Sequence, residues 1–210
     1  MKTDDLIAAL AADTLPQPKV ASQLLRALPV ATGLSLLALA VFWGVRPDLL
    51  VALSSYAVLK TLVPLALAAL AGALALAQVH PATPQKARGA VLLVMIALTV
   101  TVLIATLMRD GQGALVAALS TPSALVCLLS IPVLATPVLA ATLWALSSGA
   151  PMRPRLTGAV AGLVAGGFAA SIYSLYCDKD MVLFVIPAYS TAIAAVVLAG
   201  AVIGPRLLRW

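Results

Sequence analysis

Apolar stretches uninterrupted by charge dominate the chain. A bilayer core about 30 Å thick needs roughly 17–25 apolar residues per helix. Six uncharged runs meet that length: Leu28 to Val45, Thr61 to Val79, Ala90 to Met108, Ala124 to Leu146, Leu156 to Tyr176 and Met181 to Ile203. Every Lys, Arg and Asp falls outside them, in short connections rich in Pro and Gly such as Arg46-Pro47-Asp48, Arg109-Asp110-Gly111 and Asp178-Lys179-Asp180. Between Gly111 and Ser123, the apolar piece Ala114 to Leu119 is too short to span and reads as a loop or interfacial turn. The pattern predicts an all-α, polytopic membrane protein. It has six transmembrane helices over residues 28–210, preceded by a segment over residues 1–27.

Composition agrees with the pattern and narrows the chemistry. Of 210 residues, 63% are hydrophobic and 10% charged, and the mean hydropathy is +1.11. Soluble domains run to about 25% charged residues, so this chain lacks the polar surface to stay in water. It has no Glu, one His (His80) and seven Asp, too few acid–base groups for the clusters that catalysis uses. An enzyme is not expected, nor a cofactor. No Lys, Arg, Asp or His lies within a predicted span, which argues against an ion or proton pathway.

The cations orient the chain. With six spans, Lys2, Lys19, Arg26, Lys86, Arg88, Arg153, Arg155, Arg206 and Arg209 share one side, and Arg46, Lys60, Arg109 and Lys179 the other. Nine against four places both termini in the cytoplasm. Four of the seven Asp (Asp48, Asp110, Asp178 and Asp180) lie on the outer side, so the net positive charge belongs to the cytoplasmic face. Topology and lipid headgroup contact account for the cations. The first apolar run starts too far from Met1 for an ordinary cleaved signal peptide.

Residues 1–27 are the part able to reach a soluble partner. Thr3 can cap a helix, Asp4 and Asp5 suit the positive end of its dipole, and Pro16 and Pro18 stop it. Leu6, Ile7 and Leu10 fall on one face. A short cytoplasmic amphipathic helix follows, marginal in water and in need of cover. Membrane-surface helices usually border their apolar face with Lys and Arg. This one carries Asp4, Asp5 and Asp13 against Lys2, which suits a groove on a basic protein as well as it suits the chain's own loops.

The two cysteines, Cys127 near the start of the fourth span and Cys177 just after the fifth, share the outer edge. Antiparallel neighbouring helices would bring them close, in a compartment that permits oxidation. Packing alone is the plainer reading of two small buried thiols. Asp178 and Asp180 beside Cys177 could help a thiolate hold a soft cation. Gly158, Gly162 and Gly166 form a line along which another helix can approach closely, and Pro132 and Pro137 can bend the fourth span.

Several blocks of sequence then stand out together. They are Met1-Lys2-Thr3-Asp4-Asp5-Leu6-Ile7, Gly44-Val45-Arg46-Pro47-Asp48-Leu49, Leu59-Lys60, Tyr173-Ser174-Leu175-Tyr176-Cys177 followed by acids and Phe184, and the terminal Arg206-Leu207-Leu208-Arg209-Trp210. In this order they resemble the NrsF-type membrane anti-sigma factors of proteobacteria. The resemblance implies a six-span inner-membrane protein whose N-terminal segment, through Thr3, Asp4, Asp5, Leu6, Ile7 and Leu10, holds an extracytoplasmic-function sigma factor inactive. It further implies that Cys127 and Cys177 are sensor thiols that release the factor on metal or oxidative stress. The sigma factor and the lipid bilayer are then its partners, with no direct contact to nucleic acid. Tyr176 departs from the family pattern, which has a histidine there, and this favours thiol oxidation or direct thiol coordination over a His/Cys metal site. The alternative is a small six-helix transporter or channel-like subunit.

Overall fold

The structure, a computed structural model, describes Thr3, residues 20–79 and residues 86–208. The predicted amphipathic helix, with Asp4, Asp5, Leu6, Ile7 and Leu10, lies outside the described residues, as does His80; Thr3 is exposed. The described residues form helices and no strand: α1 Val20–Phe42, α2 Leu49–Leu53, a 3-10 turn Tyr56–Val58, α3 Leu59–Gln78, α4 Lys86–Leu119, α5 Pro122–Ser147, α6 Pro154–Tyr173 and α7 Val182–Leu207. All but α2 are long and apolar enough to cross a bilayer, giving six spans. Each predicted run falls on one of them. Proline at the first position starts α5 and α6, where a missing N–H costs nothing. Helix α5 then continues through Pro132 and Pro137.

Two stretches differ from the sequence expectation. Helix α1 begins at Val20, before the apolar run opens at Leu28. Its first turns can carry polar residues because they pack on protein: Val20 and Leu24 are buried, and Gln23 pairs with the Ser148 hydroxyl. The stretch after Gly111, expected as a loop or turn, is helical through Leu119. Gly111, at φ +82°, breaks α4, a conformation that glycine adopts without strain. The helix resumes because Ala114 to Leu119 favours it, and Ala118 and Leu119 pack on the core.

Helix α6 is the centre of the bundle. Of its most apolar window 72% is buried, against 6% for α4, and it packs on α7, α3, α5 and α1. The glycine line makes this close approach feasible. A Cβ on Gly158 would stand 2.2 Å from the Gly200 carbonyl oxygen, and one on Gly162 would stand 2.5 Å from that of Val196. On the other side of α6, a Cβ on Gly167 would meet the Pro64 carbonyl oxygen at 2.6 Å. Hydroxyls add polar ties, with Ser171 donating to the Thr61 carbonyl at 3.0 Å and Thr61 and Ser174 hydroxyls 2.6 Å apart. Ser35 of α1 donates to the Leu134 carbonyl of α5 at 2.8 Å.

Candidate functional site

The chemistry gathers at one end of the bundle, the thiol end. Both cysteines are free and buried there. Cys127 sits in the second turn of α5, fully enclosed, and lies within electrostatic reach of Cys177 and of the Tyr173 hydroxyl. The structure thus brings together the two thiols that the sequence places at one edge. Tyrosines line them: the Tyr173 ring centroid is 5.7 Å from that of Tyr176 and 6.1 Å from that of Tyr189. Tyr189 is buried in the same core cluster as both thiols. Cys177 lines an open cleft of about 590 Å³ together with Trp43, Arg46, Asp48, Tyr173, Tyr176 and Asp178. Cys177, though buried, belongs to the cleft wall, and Cys127 does not line it.

Beside the thiols stands an ion cluster built from three separate parts of the chain. Helix α1 ends where Gly44 takes φ +81° and its N–H turns back to the Leu39 carbonyl at 2.9 Å. The chain then runs to Arg46, whose N–H donates to the Leu175 carbonyl at 3.0 Å. The Arg46 side chain forks onto Asp48, with Nε and Nη2 each 2.7 Å from a carboxylate oxygen. It also reaches Asp180 at 3.1 and 3.2 Å and the Cys177 carbonyl at 3.2 Å. Lys60, in the first turn of α3, donates to the Cys177 carbonyl and to Asp180, both at 2.5 Å. Arg46 and Lys60 are each only 7% exposed, so their charges depend on these acceptors rather than on water.

This arrangement corrects two sequence readings. Arg46 and Lys60 are not lipid-headgroup contacts; they are buried ion-pair donors. Asp180, expected with Asp178 as an aid to metal binding at Cys177, gives both oxygens to the two cations, while Asp178 pairs with Lys179 at 3.1 Å. A usable signal was present in the charge count at this end: Arg46, Lys60, Arg109 and Lys179 face Asp48, Asp110, Asp178 and Asp180. Every one of them is paired, Arg109 with Asp110 at 3.7 Å. Tyr189, in mid-sequence of an apolar run, gave no such signal.

The cluster should be indifferent to mild acid. The Arg46 guanidinium holds the Asp48 carboxyl down at about 2. Burial alone would raise Asp180, but hydrogen bonds from Arg46 and Lys60 hold it below its ordinary value. Carboxyls depressed in the folded state contribute stability above the ordinary carboxylate pKa of about 4, and that stability is lost as pH falls through the folded value. The melting temperature of the detergent-purified protein should therefore stay flat from pH 8 to 5 and fall only below about pH 4. A drop between pH 7 and 5.5 would mean that the cluster is not ionised as drawn.

A family model described as negative regulator of sigma F matches residues 10–210. The chain is 35% identical to a protein named anti-sigma-F factor NrsF from Caulobacter vibrioides, over 217 aligned residues that cover all of both chains. It is 39% identical over 84 residues to a probable anti-sigma-F factor NrsF from Azospira oryzae, covering 40% of this chain and 39% of that one. No solved structure matches. A six-span helical bundle matched from residue 10 to its last residue places the chain in one family: it belongs to NrsF, the negative regulators of sigma F.

Proposed function

We propose that the protein is a polytopic anti-sigma factor of the bacterial inner membrane, which holds an extracytoplasmic-function sigma factor at the cytoplasmic face and releases it when the thiol end is modified. The observation that carries this reading is the end-to-end similarity to a protein named an anti-sigma-F factor. Both termini are cytoplasmic in this proposal, from the nine-to-four split of Lys and Arg. The thiol end then faces outward, where Cys177 meets metal ions or oxidants through the cleft and Cys127 stands behind it as the second sulfur. Two free thiols in one buried cluster are the groups on which a disulfide or direct coordination of a soft metal would be built.

The sigma-binding segment, residues 1–27, overlaps the first turns of α1, so its docking face falls before Val20. Thr3, Asp4, Asp5, Leu6, Ile7 and Leu10 form that face. Sigma factors carry basic surfaces for DNA, and an acid-bordered apolar stripe complements one of them. Membranes containing the full-length protein should retain the sigma factor. Replacing Leu6 and Leu10 by Ala should remove roughly 2–4 kcal/mol of apolar contact. The result is sigma-dependent transcription without the stimulus, at unchanged levels of protein in the membrane. Full repression by that inserted double variant would overturn the assignment of the face.

A further inference from the structure

Arg46 and Lys60 hold the backbone of Cys177, the cysteine that lines the cleft. Their acceptors bracket Cys177 on both sides: the Leu175 carbonyl, the Cys177 carbonyl, the Lys179 carbonyl at 3.5 Å from Lys60, and the Asp180 carboxylate. The donors come from the turn after α1 and from the first turn of α3, so one peptide segment is gripped by two helices. We propose that Arg46 and Lys60 are positioning residues for Cys177, and that the ion cluster is the joint through which a change at the thiols reaches α1 and, along it, the N-terminal segment. The proposal rests on the anti-sigma and thiol readings above.

The physical reason is that buried charges need acceptors, and the Cys177 carbonyl is one that both cations share. In this proposal a new partner on the Cys177 sulfur turns its peptide plane. A guanidinium and an ammonium shut away from water cannot be left without acceptors, so they follow it or the cluster opens. Helix α1, which ends at Phe42 just before the turn that carries Arg46, has 23 residues that extend about 34 Å to the opposite end. There Gln23 pairs with Ser148, and Val20 packs so closely that a Cβ on Gly149 would stand 3.3 Å from its side chain. Val20 is also where the N-terminal segment joins the bundle. Among the described helices, α1 is the one that runs on in sequence from the N-terminal segment.

The free thiols and intact cluster describe the sigma-holding state, so opening the cluster by mutation should mimic release. Full-length Asp180→Asn and Lys60→Met proteins are expected to raise uninduced sigma-dependent transcription at least tenfold while remaining in the membrane. Adding Cys177→Ser should not restore repression, because the joint acts after the thiol. Arg109→Gln, which removes an exposed pair at the same end, should leave uninduced output unchanged. Full repression with normal induction in Asp180→Asn, or repression restored by Cys177→Ser, would overturn the proposal. If either variant fails to accumulate, hydrogen exchange on the wild-type protein bound to the sigma factor decides. Treatment with the thiol oxidant diamide should speed exchange at residues 174–180 and 20–26 together, and acceleration confined to 174–180 would sink it. Wild-type membranes that fail to retain the sigma factor, or a Cys177→Ser protein that responds normally, would instead count against the underlying readings.

Discussion

Replacing Gly158 with alanine is expected to unseat α6 from α7 and to lower the stability of the whole bundle by about 1–3 kcal/mol, with larger side chains abolishing the folded protein. The added methyl would lie 2.2 Å from the Gly200 carbonyl oxygen and 2.8 Å from the Gly204 Cα. Both are backbone atoms, so no side-chain rotation relieves the overlap and the helices must separate. Gly162→Ala meets the same obstacle at the Val196 carbonyl, 2.5 Å away. Separation is costly here because α6 packs on α7, α3, α5 and α1 and is the most buried of the six spans. Gly33 and Gly72 supply the control, since a Cβ at either meets nothing within 4 Å. Gly33→Ala and Gly72→Ala should be neutral or slightly stabilising through helix propensity. Thermal unfolding in detergent separates the two pairs. Equal melting temperatures for Gly158→Ala and Gly33→Ala would mean that α6 and α7 do not meet face to face.

The same glycines show how far the fold could be read in advance. A repeat at Gly158, Gly162 and Gly166 is visible in the sequence because small residues at four-residue spacing fall on one helix face. The matching pair Gly200 and Gly204 on α7 lies in the same pattern, but which two helices meet is a tertiary fact with no local signature. Span positions were legible because hydrocarbon rejects charge, and that rule acts residue by residue. Span ends were less so. Helix α1 runs back to Val20 because protein, not lipid, covers Val20 and Leu24, and a hydropathy pattern cannot tell one apolar environment from the other. The thiols could be assigned to one edge by counting spans. The ion cluster could not, since Arg46 and Asp180 are 134 positions apart; only the equal number of cations and acids at that end pointed to it.

Cys127→Ser and Cys177→Ser should each reduce induction at least tenfold while leaving uninduced repression intact, and the double variant should be no worse than either single one. Both cysteines are buried, at 0% and 4% exposure, so serine fits each space with a small change in volume and the resting bundle survives. On the proposed sensing role, what is lost is the bond that only sulfur makes. Moving the N-terminal segment from 99% bound to 99% free requires a bias of about 5.5 kcal/mol between the two states. A disulfide or a thiolate–metal bond that can form in only one arrangement meets that demand, whereas one rearranged hydrogen bond, at roughly 1 kcal/mol, does not. Because the bond needs both sulfurs, removing either removes all of the bias, which is why the effects should not add. A sigma-dependent reporter read with and without the stimulus measures both halves of the expectation. Normal induction in either single variant would leave Cys127 and Cys177 as packing residues, and the stimulus would then have to enter elsewhere.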